Sequence, residues 1–134
     1  MIVDDPEVKA EVEAAFARYE RALVENDVGV LDELFWADAR TVRYGPAESL
    51  YGRDEILAFR QARPAQGLDR TLRRTVVTTF GRDVATANTE FLRDGTDRIG
   101  RQSQTWVRMP EGWRVVAAHV SLRPPAEGEE SAPR

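Results

Sequence analysis

Apolar residues recur every three or four positions along the N-terminal stretch DDPEVKAEVEAAFARYERALVEND. Val8, Val12, Ala15, Phe16, Tyr19 and Leu23 form one stripe, which predicts an amphipathic helix. Asp5 is placed to cap it, Pro6 suits the first turn, and Glu7 favours the positive end of the helix dipole. Asn26-Asp27 breaks the stripe. Asp27 then caps a short second helix, VGVLDELF, which buries Val30, Leu31, Leu34 and Phe35. RTVRYG reads as a short strand, GPAE as a turn and SLY as a second short strand. Helical spacing returns in GRDEILAFRQAR, with Ile56, Leu57 and Phe59 on the buried side and Pro64 as the stop. After the loop RPAQGLD come four long strand patterns: TLRRTVVTTFG, DVATANTEFLRDG, RIGRQSQTWVRM and GWRVVAAHVSL. The short turns GRD, DGTD and MPEG join them into an antiparallel meander. The final stretch RPPAEGEESAPR is polar and rich in Pro and Gly, the composition of a disordered tail. The reading is one domain over residues 1–123 and a tail over 124–134.

Helices set apart from an antiparallel sheet define an α+β domain. Long twisted strands curl, and the N-terminal helices close the concave side over a pocket. The 134 residues suit one core, with 42% hydrophobic and 31% charged. No apolar run approaches the ~18–20 residues that span a membrane. The N-terminus lacks the basic start and apolar segment of a signal peptide. The absence of cysteine excludes disulfides, thiol nucleophiles and thiolate metal sites, and a cytoplasmic setting is expected. The net charge of −4 argues against nucleic acid as a partner. Of 19 basic residues, all but Lys9 are arginine. Genome composition explains most of that bias, and selection for forked donors that grip carboxylates explains the rest.

Candidate chemistry gathers in a few places. Tyr19 lies on the buried stripe, where it serves either as a core residue or as a hydroxyl aimed into the pocket. Arg43 interrupts TVRYG. Facing solvent it needs no explanation, but facing a cavity it requires an anion, either a substrate carboxylate or an internal one such as Glu90. Tyr44 beside it is a further candidate contact. A loop closed at MPEG sets 108 opposite 113 and 102 opposite 119. That places Gln102, Gln104, Trp106, His119 and Ser121 on one face, as a polar pocket wall or a solvated ladder. Arg60 and Arg63 lie near the C-terminal end of the third helix. There they favour the dipole, or guard the pocket mouth. With one histidine and no HxH or HxxxH spacing, neither a metal nor a cofactor is expected, and no nucleophile elbow surrounds Ser121.

The layout resembles the NTF2-like superfamily, which includes SnoaL-like cyclases and ketosteroid isomerases. The blocks ALVENDVGVLDELFWADARTVRYGPAESLYG, FRQARP, TTFGRDVATANTEF and RIGRQSQTWVRMPEGWRVVAAHVSL look like the AtzH-like family, also called HpxZ, over about residues 5–122. That resemblance implies an NTF2-like cone, a homodimer, and work beside a partner amidohydrolase in the breakdown of oxalurate or of cyanuric acid. It also implies a decarboxylating amidohydrolase reaction on a small anionic substrate, with Tyr19 and Arg43 in the catalytic roles. An accessory or ligand-binding protein and a SnoaL-like isomerase or cyclase are the alternatives. The superfamily hosts many chemistries, so the fold alone does not choose.

Overall fold

The computed structural model describes residues 1–130, and the helical stripe of the N-terminus is its first element. Helix α1 (Pro6–Glu25) buries Val8, Val12, Phe16, Tyr19, Ala22 and Leu23. The Asp5 carboxylate accepts the amides of Glu7 and Val8 at 3.0 and 3.3 Å, and Asn26 closes the helix in the left-handed region at φ 53°. Asp27 caps α2 (Val28–Leu34) through the Val30 amide at 3.2 Å. The short strands β1 (Val42–Tyr44) and β2 (Ser49–Tyr51) form a hairpin. Helix α3 (Arg53–Ala62) follows, then β3 (Thr71–Phe80), β4 (Val84–Leu92), β5 (Ile99–Met109) and β6 (Gly112–Arg123).

The four long strands form the expected antiparallel meander. The sheet as a whole is mixed, however. Its order is β2-β1-β6-β5-β4-β3, and β1 runs parallel to β6. An antiparallel sheet throughout was the expectation. A parallel contact between residues 42–44 and 117–119 is too distant in sequence to leave a turn signature. The N-terminus adds a bridge from Val3 to Phe80 on the β3 edge.

One irregularity decides which side chains face inward. β5 and β6 pair as expected from Met109 opposite Gly112 through Trp106 opposite Val115. Thr105 then pairs with Ala117, so Val116 is an extra residue on β6. Just there the Val115 carbonyl accepts the Trp36 amide at 3.0 Å, and the neighbour of β6 changes from the end of α2 to β1. This bulge reverses the faces of everything beyond it. Trp106, Gln104, Gln102, Ala118 and Val120 are buried on the concave face, while His119 is exposed on the convex one. The core lies between that concave face and the helices, around Trp106, Val115, Leu31, Phe35, Val8 and Val12, each 2% exposed or less.

Beyond β6, Glu129 is bound by Arg123 through two contacts of 2.7 Å and by Arg73 at 2.8 Å. The last four residues of the expected disordered tail, 131–134, lie outside the described residues.

Candidate functional site: a guanidinium-lined cavity

A cavity of about 330 Å³ opens between the concave face of the sheet, α1 and α3. Helix α1 brings Tyr19 and Leu23, α3 and the residue that caps it bring Phe59 and Arg63, and β1 with its turn brings Arg43, Pro46 and Glu48. Arg70 and Phe91 flank the sheet side, Arg93, Thr96 and Arg98 come from the β4–β5 connection, and Gln102 and Val120 form part of the floor. Five arginines therefore meet one carboxylate, Glu48, in these walls.

Arg43 is 5% exposed and faces the cavity, because β1 alternates in step with Ala118 on β6. Its Nη1 donates to Glu48 Oε1 at 3.0 Å, while its Nε is buried without a hydrogen bond. Glu90, the internal partner considered from sequence, sits on the convex face. It accepts from Arg73 at 2.8 Å and lies 3.8 Å from Arg123. Glu48 reaches Arg43 by lying over Gly45, where a Cβ atom would stand only 1.8 Å from its Oε1.

Arg70 is held more completely. It makes a two-pronged pair with Glu20 of α1 and donates to Gln102 Oε1 at 3.0 Å. Two phenylalanines each carry two of these cations. Phe59 lies 5.1 Å from the Arg43 guanidinium and 5.8 Å from that of Arg63. Phe91 lies 4.4 Å from Arg70 and 5.3 Å from Arg93. In each pair one arginine has a carboxylate and the other has none among the described residues. Burial, reinforced by Arg60, pushes the Arg63 pKa down to about 10, and burial also lowers that of Arg93. At about 10, Arg63 remains cationic at neutral pH.

Tyr19 is 2% exposed. Burial pushes its phenol up, but the charges of Arg60, Arg70 and Arg43 outweigh that effect and hold it below the ordinary tyrosine range.

Of the side chains singled out from sequence, Tyr19, Arg43, Arg63 and Gln102 meet at this cavity. Gln104 is buried on the same face but is not in its walls, and its carbonyl accepts the Trp106 indole at 3.0 Å. Arg60 does not guard the mouth. It is fully buried behind the walls, at the core position four residues after Ile56. Tyr44, His119 and Ser121 are corrected to the convex face, where the bulge at Val116 and the pairing of Tyr44 with His119 put them. There Tyr44 packs edge-on to His119, its hydroxyl lies 3.2 Å from that of Tyr51, and Ser121 accepts from Arg101 at 3.1 Å. Sequence reasoning missed Glu48, Arg70 and Arg93. The period-two spacing of Phe91 and Arg93 was the available signal for the last of these. Among the described residues no three His, Asp or Glu side chains converge as a metal site requires.

The curled sheet, the covering helices and the pocket between them define a protein of the NTF2-like fold. Solved structures agree, for example a ketosteroid isomerase-like protein from Erwinia carotovora atroseptica (18% identity over 90% of this chain and 99% of that one, TM-score 0.73). Within that fold the chain belongs to the AtzH-like family, whose profile matches residues 1–126. A DUF3225-family protein of unknown function from Pectobacterium atrosepticum is 66% identical over 90% of this chain and 94% of its own, with a TM-score of 0.89. A cystatin-like fold protein from Burkholderia xenovorans is 52% identical over 94% and 99%, with a TM-score of 0.90. No curated protein matches the chain.

Proposed function

We propose that the cavity binds a small carboxylated urea or an oxalurate-like ureide and cleaves its C–N bond in a cofactor-free, decarboxylating amidohydrolase-type reaction. The observation that carries the reading is five guanidiniums in the walls of a pocket of about 330 Å³, against Glu48 in the same walls and Glu20 behind Arg70. Such a lining suits a compact anion, and the volume sits near the lower end of ligand pockets, about 300–1,000 Å³. The family membership supports the choice of reaction. A steroid-like isomerase substrate would meet five guanidiniums in the walls.

In this mechanism Arg43 anchors one carboxylate in two parallel hydrogen bonds, drawing on the Nε that now has no partner. Arg63 and Arg93, which pair with no carboxylate among the described residues, bear on a second anionic group. The Gln102 amide nitrogen, buried without a hydrogen bond, offers a donor to a ureido oxygen. On an N-carboxylated urea the C–N electron pair stays on nitrogen when CO2 departs. On an oxalurate-like ureide water adds to the acyl carbon and the same bond breaks toward nitrogen. In both the nitrogen must take a proton. Tyr19 supplies it and is reprotonated from water. We further propose a cytoplasmic homodimer formed through the convex sheet face, where Val76 and Val84 are exposed. A monomer by light scattering at high micromolar concentration would overturn the dimer.

The test is calorimetric titration of mono- and dicarboxylated ureides, paired with an assay of CO2 release. Arg43→Lys is expected to weaken binding about ten- to a hundredfold, the loss of one charge-assisted bond of roughly 1.5–3 kcal/mol. Tyr19→Phe is expected to bind nearly as wild type and to turn over far more slowly. Binding without turnover by the wild type would overturn the enzyme reading in favour of a carrier that delivers ureides to a partner amidohydrolase.

A further inference from the structure

Arg60 occupies a place that the helical pattern assigns to an aliphatic side chain. It has no exposed surface, and its Nε, Nη1 and Nη2 form no hydrogen bond. Its guanidinium carbon lies 4.9 Å from the ring centre of Phe35 and 5.8 Å from that of Tyr19. Burying an unpaired cation is expensive, and two aromatic rings offset only part of that cost. If packing were the only demand, a methionine of similar length would meet it without the penalty.

We infer that Arg60 is an electrostatic positioning residue for Tyr19, its guanidinium held beside the phenol to stabilise negative charge as it develops on the tyrosine oxygen. The inference rests on the reading of Tyr19 as the proton donor, since donation leaves a buried phenolate that needs a counter-charge.

The other charges around Tyr19 single out Arg60. From β1 comes Arg43, opposed by Glu48. From the segment before β3 comes Arg70, opposed by Glu20, which also faces Tyr19 from its own helix. Each of these cations brings an anion that cancels part of its field. Arg63 from α3 and Arg93 beyond β4 stand in the cavity walls, open to whatever anion the cavity holds. Arg60 pairs with no carboxylate among the described residues and lies outside the walls, so no bound ligand anion competes with Tyr19 for it. It is also the strongest of the charges that lower the Tyr19 pKa.

The experiment is a spectroscopic titration of phenolate absorbance, with the Tyr19 curve taken as wild type minus Tyr19→Phe to remove Tyr44 and Tyr51. Arg60→Met should raise the Tyr19 midpoint by about 1–3 pH units. Thermal unfolding of Arg60→Met should occur at or above the wild-type temperature, because an unpaired buried charge has been removed. An unmoved midpoint in Arg60→Met would overturn the inference. So would a variant that melts well below wild type or fails to fold, since Arg60 would then be structural cement. The titration needs no substrate. Full turnover by Tyr19→Phe would therefore sink the proposed reaction separately.

Discussion

Glu48 stands where a substrate carboxylate would stand. It fills one Nη of Arg43 and leaves Nε bare, so the anion site is half occupied by the protein itself. An incoming carboxylate that takes both donors must displace it. Glu48→Gln is therefore expected to tighten the binding of small carboxylates such as malonate by about tenfold, since a charged competitor is replaced by a neutral one. Weaker binding by calorimetry would show instead that Glu48 orients Arg43 for its ligand. Residues of this kind mark the limit of sequence reading. Tyr19 and Arg43 were visible because each broke or polarised a regular pattern. Arg60 was singled out only as a helix-end or mouth residue; its burial was hidden because a buried, unpaired cation contradicts the rule that assigns charges to the surface. Glu48 was hidden because GPAE reads completely as a turn.

At the level of elements, caps and strand limits followed from local chemistry, as at Asp5, Asp27 and the MPEG turn. The bulge at Val116 did not. Nothing in GWRVVAAHVSL marks the extra residue, because its cause is a contact from Trp36, far earlier in the chain. That single residue moved His119 and Ser121 away from the pocket. Across the sheet, Gly100 and Phe91 form a second device that can be tested. They are cross-strand partners, and a Cβ at position 100 would lie 2.2 Å from the Phe91 ring. The ring covers the glycine, and Arg70 and Arg93 rest against that ring. Gly100→Ala is expected to destabilise the fold by about 1–3 kcal/mol through overpacking. By shifting the platform of two cavity cations it should also weaken anion binding. Chemical denaturation and calorimetry on the same preparation check both effects. A stable variant with unchanged binding would show that the ring has room to move.

For the whole molecule, segregated helices and a meander gave the α+β class directly from pattern, whereas the parallel β1–β6 contact that turns Arg43 inward lies beyond any local signal. A second long-range tie joins the end of the described chain to the sheet. Glu129 receives both Arg123 prongs and Arg73, and also accepts the Ala126 amide at 2.8 Å. The Arg123 hydrogen bonds, then the Ala126 amide, hold its carboxyl down from an ordinary 4.5 to about 2. A depressed carboxylate pKa makes the charged form the docked one. Its contribution is complete above about pH 4.5 and disappears as the pH falls through 2. Both arginines stay charged across that window, so the carboxylate alone switches the clamp. The amide resonance of Ala126 should titrate with a midpoint near 2, and Glu129→Gln should abolish that step while leaving the core resonances in place. A midpoint at the ordinary carboxylate value would mean that the segment leaves the sheet in solution and that Arg73 and Arg123 keep only Glu90 between them.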